Sequence, residues 1–380
     1  MDFAWTDEQL AFRKEVIGFA RAELNGDMIQ RDLEEEFFQE GWNRCAKFGI
    51  QGLPISPEWG GGGADVLTVV CALEALGYGC RDNGLLFALN AHMWGAEVPI
   101  LTFGTDLQKQ RYLPRLINGE WTGVHAMTEP SPGVGGQNLQ TRASRQGNGY
   151  VLNGCKAFIA NAADADVVVV YASLEGSADS NRATAFILEK GTAGFTLTRK
   201  RQMGLRSSPM AELSFAGCEI PAENLLGREG DGLAIFDECA EWQRICVLAS
   251  YLGTMQRLLE TSVTYARERK QFGQAIGKFP AVAAKIADME VRLESARLLL
   301  YKAAWLKSQG KDSTREAAIA NLYLSEASIQ SCMDAMQVHG GYGYMTEYQL
   351  ERELRDAISA KTFSGTSEAQ RMNIAGWHGL

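Results

Sequence analysis

The sequence predicts an α+β multidomain fold, in which helical N-terminal and C-terminal regions flank a central antiparallel β region. Two changes in hydrophobic periodicity along the 380 residues support this prediction. Helical spacing comes first, short strand patterns separated by turn residues follow, and long helical patterns come last. We expect an N-terminal α-helical domain at 1–119, a central β-barrel-like domain at 120–231 and a C-terminal four-helix-bundle domain at 232–380.

The N-terminal region begins with a helix-start signal. Thr6-Asp7-Glu8-Gln9 has the spacing of a capping box, and Phe12, Val16 and Phe19 then recur at helical intervals. The glycine run at 60–63 has no following Lys-Ser or Lys-Thr, so it predicts a turn rather than a phosphate-binding loop. Helices are therefore expected to dominate this region.

The central region carries a strong hairpin signal. Gln146-Gly147-Asn148-Gly149 separates the segment 142–145 from the strand-like segment 150–156, and Asn-Gly is typical of tight hairpin turns. There is no β-α-β alternation and no G-x-G-x-x-G, so a dinucleotide-binding fold is not indicated. Further strands are predicted at 167–172, 183–189, 195–199 and 212–215.

The C-terminal region contains a long apolar stripe with steps of three and four residues, which predicts one helix of a bundle. A second helix is predicted at 313–338, with Gly340-Gly341 as its stop signal. The stripe consists of Val282, Ile286, Met289, Leu293, Ala296, Leu300 and Ala303.

Composition excludes several classes of function. The net charge of −9 argues against a broad nucleic-acid-binding surface. The eight cysteines contain no C-x-x-C pair, which favours reduced thiols, and the four histidines are too dispersed to indicate a metal site. No stretch approaches the ~20 apolar residues of a membrane span, and no export signal begins the chain. We expect a cytoplasmic protein with no metal, nucleic-acid or membrane partner.

Local motifs in this order resemble the acyl-CoA dehydrogenase superfamily over nearly the whole chain. One such motif alone would be weak, but five in order, with matching domain periodicity, strongly indicate that fold. The motifs are Met127-Thr128-Glu129-Pro130, Lys156-Ala157-Phe158-Ile159-Ala160-Asn161, Glu268-Arg269-Lys270-Gln271-Phe272-Gly273, Asp334-Ala335-Met336-Gln337-Val338-His339-Gly340-Gly341 and Ser364-Gly365-Thr366-Ser367.

The resemblance implies a non-covalent FAD between the β domain and the C-terminal bundle, completed by a neighbouring subunit. Met127 and Thr128 would contact the flavin ring, and Phe158 would lie against it. The implied assembly is a homotetramer, although a dimer would also complete such a site. The residues implied to hold the FAD of a partner chain are Arg269, Phe272, Gln337 and Gly341, and those implied to approach the nucleotide end are Thr366 and Glu368.

The chain departs from the family pattern at three places near the implied flavin and substrate. Ala160 replaces a threonine that donates a hydrogen bond near the reactive flavin nitrogen. Val134 replaces a serine that contacts phosphate or ligand. Ser364 stands where most members carry a catalytic Glu before Gly-Thr-Ser, and a serine hydroxyl is too weak a base near neutral pH.

Members of the family that lack this late Glu often place the base on the first long C-terminal helix, directly before a basic residue. That position is Gln243, in Glu241-Trp242-Gln243-Arg244. A glutamine is nearly isosteric with glutamate but cannot take a proton near pH 7. We therefore assign Gln243 and Ser364 to the catalytic positions, with activity impaired by the missing carboxylate.

Three explanations for Gln243 stay open at this point. It is an engineered replacement of a native Glu, it marks a natural member with different flavin chemistry, or another carboxylate has taken over. Glu241 is the nearest substitute, but two residues along a helix turn it by roughly 200°, so it is expected to face away from Gln243 as a surface acid.

Within the superfamily, three features most resemble the prolyl-carrier-protein dehydrogenases: Cys80-Arg81-Asp82-Asn83-Gly84-Leu85, Trp242, and Phe363-Ser364-Gly365-Thr366. These enzymes oxidise a prolyl thioester on a peptidyl carrier protein in natural-product biosynthesis, and related enzymes act on other aminoacyl groups. The alternatives are a dehydrogenase for a short or branched acyl-CoA, and a flavin-binding module that interacts with carrier proteins without catalysis. The acyl group, the electron acceptor and the choice between two- and four-electron oxidation stay open.

The resemblance also implies a mechanism. A base at position 243 would remove the α proton of the thioester while the flavin accepts a hydride from the β carbon. The backbone N–H of Ser364 and a flavin hydroxyl would stabilise the enolate oxygen, so loss of a carboxylate side chain at 364 leaves the oxyanion site intact.

Overall fold

The computed structural model describes residues 5–131, 139–176 and 183–380. Helices come first, a sheet follows, and helices complete the chain, as predicted. The predicted limits of the three domains stay predictions. No helix in the described ranges is both long enough and apolar enough to cross a membrane.

The first region is helical up to its C-cap at Asn118. The predicted capping box is confirmed, because the Gln9 N–H donates to Thr6 Oγ1 and the Thr6 N–H donates to Gln9 Oε1, each at 3.1 Å. A π-helical turn at Met93–Glu97 separates the fifth and sixth helices. The helices are α1 (Asp7–Glu23), α2 (Met28–Glu34), α3 (Gln39–Phe48), α4 (Val66–Gly79), α5 (Asn83–His92), α6 (Val98–Phe103) and α7 (Asp106–Ile117).

The central sheet has the order β6-β7-β3-β2-β4-β5-β8, with β1 paired to β4. Its strands are β1 (Gly123–Ala126), β2 (Arg142–Gln146), β3 (Gly149–Ile159), β4 (Val167–Leu174), β5 (Ala183–Glu189), β6 (Phe195–Lys200), β7 (Met210–Pro221) and β8 (Leu225–Leu226).

Antiparallel pairing holds for most of this sheet, including the predicted β2–β3 hairpin. The expectation of purely antiparallel pairing was wrong at two places, because β1 and β2 both run parallel to β4. Neither strand precedes β4 through a tight turn, so the local turn signals could not show this orientation. The sheet is mixed.

Strand β4 is buried along its whole length because apolar layers cover both faces. Val168 and Val170 face the core inside the β region, whereas Val169 and Tyr171 pack in a second cluster with residues of α6, α7 and the first C-terminal helix. A strand covered on both faces is consistent with its continuous apolar sequence. This second layer packs the first C-terminal helix against β4.

The C-terminal region is a set of packed helices with one short hairpin. The predicted stripe is confirmed in its centre, where Met289, Leu293, Ala296, Leu300 and Ala303 are buried. The elements are α8 (Gly232–Cys246), α9 (Ala249–Glu268), β9 (Lys270–Gln271), β10 (Gln274–Ala275), α10 (Pro280–Ser308), α11 (Thr314–His339), α12 (Leu350–Ile358) and α13 (Ser367–Gly376).

Helices α4 and α9 cross at glycines. A Cβ added to Gly77 would lie 1.8 Å from the carbonyl oxygen of Ser250, and one added to Gly253 would lie 2.1 Å from that of Glu74. We expect Gly77→Ala to lower the free energy of unfolding by about 1–3 kcal/mol, because the helices must move apart. Gly18→Ala is the matched control, since nothing lies within 4 Å of its Cβ.

The measurement is thermal unfolding of both variants at equal protein concentration. The Gly18 substitution is expected to be neutral or to stabilise by roughly 0.5–1 kcal/mol, because alanine is favoured over glycine in a helix interior. Equal melting temperatures for the two variants would show that the helix crossing does not depend on the missing side chain.

The segment Cys80–Leu85 lies at a buried polar junction between the two helical regions. The Asn83 amide donates to Glu353 Oε2 at 2.8 Å and to Asp356 Oδ2 at 2.9 Å. Arg352 Nη1 donates to Asp356 at 3.1 Å, and Arg257 Nη2 donates to Glu353 at 3.0 Å. The segment Cys80–Leu85 therefore has a structural role, because it joins α5 to α9 and α12.

Candidate active site

Gln243 lies half-buried near the end of α8 and faces strand β1. Its Nε2 atom is 3.5 Å from Nε2 of His125, which lies in β1 two residues before Met127. The neighbouring Trp242 stacks on Trp94 of the π-helical turn, with ring centroids 5.1 Å apart and planes 8° from parallel. The stack thus anchors this part of α8 on the π-helical turn.

Glu241 points to another side of α8. Its carboxylate pairs with Lys307 at 3.0 Å and accepts a hydrogen bond from the Ser313 hydroxyl at 2.8 Å. Both partners lie at the junction between α10 and α11, whereas Gln243 contacts β1. This geometry agrees with the expectation that Glu241 faces away, and it leaves the carboxylate-replacement explanation without its nearest candidate.

Helix α5 has an open face near the two predicted catalytic positions. Phe87 and Ala91, four residues apart, are half-buried, whereas their neighbours on α5 are buried. Phe363 packs on Phe87 with ring centroids 4.9 Å apart. Trp242 stacks on Trp94, seven residues after Phe87, so Phe363 and Trp242, the sequence neighbours of Ser364 and Gln243, contact this helical segment roughly 10 Å apart along its axis.

Ser364 lies in a strained loop. Its φ of 57° is in the left-handed region, and Gly365 follows with a φ of 92°. The Gln370 amide holds this loop by donating to the carbonyl oxygens of Ser364 at 3.1 Å and Gly365 at 3.3 Å. The Ser364 N–H donates to no group in the described ranges, so it is free for a ligand oxygen.

Four of the residues implied to contact the flavin ring lie close together along β1 and β3. The Ala157 N–H donates to the Thr128 carbonyl at 2.9 Å, and Lys156 Nζ donates to the Met127 carbonyl at 2.9 Å. Thr128 is exposed, Met127 is buried, and Ala160 is half-buried at the end of β3. The strand ends are therefore fixed relative to each other.

Phe158 is an exposed aromatic side chain on a strained backbone. It is 69% exposed, has a φ of 59°, and lies at a shift in the register between β3 and β7. Asn161, three residues later, is buried, and neither polar atom of its amide has a partner within the described residues. This surface can take a flat aromatic ligand that also supplies polar groups.

A buried ion pair supports this surface from below. Lys156 Nζ lies 2.8 Å from Glu129, whose carboxylate also accepts the Thr141 N–H at 2.9 Å. Burial lowers the pKa of Lys156 to about 8, although pairing with Glu129 limits the fall. Burial opposes ionisation of Glu129, but its hydrogen bonds from Lys156 and Thr141 outweigh burial and lower its pKa. The quoted motifs contain both residues, but sequence reasoning assigned no role to either.

The residues implied to hold the FAD of a partner chain lie elsewhere, where α9, the β9–β10 hairpin and the end of α11 meet. Arg269 and Gly341 line a cavity of about 570 Å³. Phe272 is 93% exposed at the hairpin tip. Gln337 is also exposed, and the residue after it, Val338, lines the cavity. A large exposed aromatic beside an arginine-lined cavity indicates an interaction surface.

Thr366 and Glu368 lie at the start of α13, directly after the Ser364 loop. The Thr366 hydroxyl is the helix cap, because it accepts the Ala369 N–H at 3.2 Å, and Glu368 is exposed in the first turn. Val134 lies outside the described residues. Within the described ranges, no group of His, Cys, Asp and Glu side chains could hold a metal ion.

Comparison with known proteins covers nearly the whole chain. The acyl-CoA dehydrogenase N-terminal, middle and C-terminal domain models match residues 6–120, 125–218 and 230–378. The chain belongs to the acyl-CoA dehydrogenase family. Both the predicted fold and the resemblance are therefore confirmed.

Several members of the acyl-CoA dehydrogenase family resemble this chain along its full length. An L-prolyl-[peptidyl-carrier protein] dehydrogenase of Pseudomonas fluorescens is 40% identical, with 99% of each chain covered. A short-chain specific acyl-CoA dehydrogenase of Clostridium acetobutylicum is 38% identical, also with 99% of each covered. The solved structure of the prolyl acyl carrier protein oxidase AnaB is 49% identical, has a TM-score of 0.96, and covers 99% of this chain and 100% of its own.

A second solved structure contains a ligand. PigA with FAD and proline is 37% identical, has a TM-score of 0.97, and is covered completely, as is this chain. These similarities link the fold to oxidoreductases that act on thioester-bound groups. His125 is a further site residue that sequence reasoning missed. The signal was available, because alternation along β1 puts residue 125 on the same side as Met127.

Proposed function

We propose that this chain is an FAD-dependent dehydrogenase that oxidises an aminoacyl thioester, with L-prolyl on a peptidyl carrier protein as its substrate. The observation that carries the proposal is the open face of α5, which the Ser364 loop contacts through Phe363 and α8 contacts through Trp242, the neighbour of Gln243. The similarity to AnaB and to the prolyl-carrier-protein dehydrogenase supports this substrate class.

The described residues fit an FAD. Phe158 offers an exposed ring face, and the nearby Asn161 amide has unpartnered donor and acceptor atoms. Arg269 beside a cavity of about 570 Å³ suits a pyrophosphate or adenosine group from another subunit. When bound, FAD supplies the acceptor for a hydride from the substrate β carbon. The exposed Phe272 at this surface is consistent with the proposed homotetramer.

The chain's own residues bind and polarise the thioester. The Ser364 N–H donates to its carbonyl oxygen, which stabilises the negative charge that develops when the α proton leaves. Phe87 and Ala91 confine the acyl group along α5. Gln243 faces the α carbon, but its amide cannot accept a proton near pH 7, so it keeps the shape of a base without its chemistry.

The missing base predicts a slow enzyme rather than a different fold. Loss of a positioned general base typically lowers a rate by ~10²- to 10⁴-fold while binding is largely retained. Both open explanations, an engineered substitution and a natural member with different flavin chemistry, fit the position of Gln243.

The proposal is tested by incubating FAD-loaded protein with three substrates: a prolyl carrier protein, prolyl-CoA and butyryl-CoA. Mass spectrometry of the acyl group would detect the loss of hydrogen. We expect oxidation of the carrier-bound prolyl group. Oxidation of the CoA thioesters alone would identify a dehydrogenase for short acyl-CoA instead, and binding without oxidation, even after Gln243→Glu, would indicate a carrier-binding module without catalysis.

Retention of FAD is predicted to depend on Arg269. We expect Arg269→Ala to weaken FAD binding by about 10- to 100-fold, because a charge-assisted hydrogen bond to a phosphate is lost. Arg267→Ala is the matched control, since Arg267 is equally exposed in the last turn of α9 but is not part of the cavity wall. Flavin absorbance per protein after gel filtration measures retention, and equal loss in both variants would contradict the assignment.

A further inference from the structure

His125 is a histidine at the proposed active site to which the proposed function gives no role. Its Nε2 atom lies 3.5 Å from Gln243 Nε2, and its Nδ1 atom is buried without a partner in the described ranges. A Cβ added to Gly95 would lie 3.4 Å from Nδ1, so the backbone of the π-helical turn covers that side of the ring. The side chain at 243 is thus the one hydrogen-bonding neighbour that the imidazole has among these residues.

The surroundings of His125 are apolar and aromatic. Tyr171 of β4 and Phe236 of α8 have ring centroids 6.4 Å and 5.9 Å from its own. On this side the Tyr171 hydroxyl and the Cys239 thiol contact each other at 3.8 Å, and α8 also carries Asp237 and Arg244, which attract each other. Burial lowers the pKa of His125 to about 4, so the imidazole is neutral at physiological pH.

A neutral imidazole has one donor and one acceptor nitrogen, and its neighbour decides which is which. An amide can pair with either tautomer, since it can present its N–H to an unprotonated Nε2 or its oxygen to a protonated one. A carboxylate only accepts, so it can pair only with an imidazole that carries its proton on Nε2.

We propose that His125 is a positioning residue, which holds side chain 243 towards the substrate through Nε2 and changes its tautomer according to the group at 243. This inference rests on the proposed function. A carboxylate introduced at 243 would be oriented by a neutral N–H rather than by a cation, so it would not form an ion pair that suppresses its basicity. The pKa of that carboxylate would then depend on one hydrogen bond, donated by Nε2 of His125 in β1.

The pairing is tested directly by NMR of histidine-labelled protein, for which neither turnover nor FAD is needed. The chain has four histidines, so the His125 signals can be assigned by their loss in His125→Gln. We expect Gln243→Glu to place the proton on Nε2 and Gln243→Ala to shift the ring nitrogen signals again. Identical His125 signals in the unchanged, Gln243→Glu and Gln243→Ala proteins would overturn the proposal.

A second test uses the pH dependence of flavin reduction in the Gln243→Glu background. His125→Phe removes the donor and is expected to move the acid limb of the rate profile upward by about one pH unit, since the carboxylate loses a hydrogen bond. His125→Gln keeps a polar group near the Nε2 position and is expected to restore most of that shift. Equal profiles for the two variants would contradict the positioning role.

The two tests separate this inference from the proposed function. If Gln243→Glu changes the His125 tautomer but no prolyl thioester is oxidised, the pairing holds and the proposed substrate or chemistry is wrong. If the prolyl thioester is oxidised but the His125 signals do not change with the residue at 243, the proposed function is supported and the positioning role is wrong.

Discussion

Gln243→Glu is expected to raise the rate of oxidation of a carrier-bound prolyl thioester by about 10²- to 10⁴-fold. The substitution changes an amide into a carboxylate of nearly the same shape, so the contacts of Trp242 with Trp94 should persist. A half-buried carboxylate has a raised pKa, which brings its basicity closer to neutral pH. Single-turnover flavin reduction in a stopped-flow instrument without oxygen measures the effect.

Glu241→Gln is the matched control for this prediction. It makes the reverse carboxylate-to-amide change two residues earlier, on the side of α8 that faces Lys307 and Ser313. We expect its effect on the rate to be less than about tenfold, because exposed or half-exposed ion pairs contribute little. An unchanged rate in Gln243→Glu with FAD bound would remove residue 243 from the mechanism, and a collapse in the Glu241→Gln rate would make Glu241 the base.

The second large effect is expected at the buried junction of α5, α9 and α12. Arg352→Leu should lower the free energy of unfolding by about 3–5 kcal/mol, because removing one member of a buried ion network leaves uncompensated charge. Arg352 pairs with Asp356 at 3.1 Å and with Glu353 at 3.3 Å. Arg201→Leu is the control, since the Arg201 side chain is 90% exposed, whereas that of Arg352 is 3% exposed.

The loss in Arg352→Leu should depend on pH. Burial raises the pKa of Asp356 to about 6, so its contribution to stability is present at low pH and is lost as pH rises through that value. Burial opposes ionisation of Glu353, but attraction to Arg257 and Arg352 outweighs burial and lowers its pKa, so its contribution is lost on acidification. Without the positive charge of Arg352, the pKa values of Asp356 and Glu353 should both rise.

We therefore expect the difference in melting temperature between Arg352→Leu and the unchanged protein to be larger at pH 8 than at pH 5. Measurements at fixed protein and FAD concentrations avoid shifts caused by assembly or ligand binding. A pH-independent difference would show that the lost arginine acted through packing rather than charge.

Local sequence signals predicted much of the fold. The Thr6 capping box, the turn before Gly149 and the apolar stripe from Met289 to Ala303 all involve residues within a few positions of each other. The parallel pairing of β1 and β2 with β4 was not predictable in this way. It joins segments that are distant in sequence, and burial on both faces hides the alternation that would reveal orientation.

The assignment of Gln243 and Ser364 came from the family pattern and stays a prediction. Helical geometry correctly predicted that Glu241 would face elsewhere. The contact between Gln243 and His125 joins residues 118 positions apart. It depends on how α8 lies over β1, which no local pattern encodes. The left-handed backbone of Phe158 was equally hidden, since phenylalanine rarely adopts it.

The most direct test of the central claim is a crystal structure of the protein with FAD and a non-hydrolysable analogue of prolyl-phosphopantetheine. We predict a carbonyl oxygen within hydrogen-bonding distance of the Ser364 N–H, and an α carbon that faces side chain 243 near the open face of α5. An acyl group bound away from α5, or with its α carbon turned from residue 243, would contradict the proposed function.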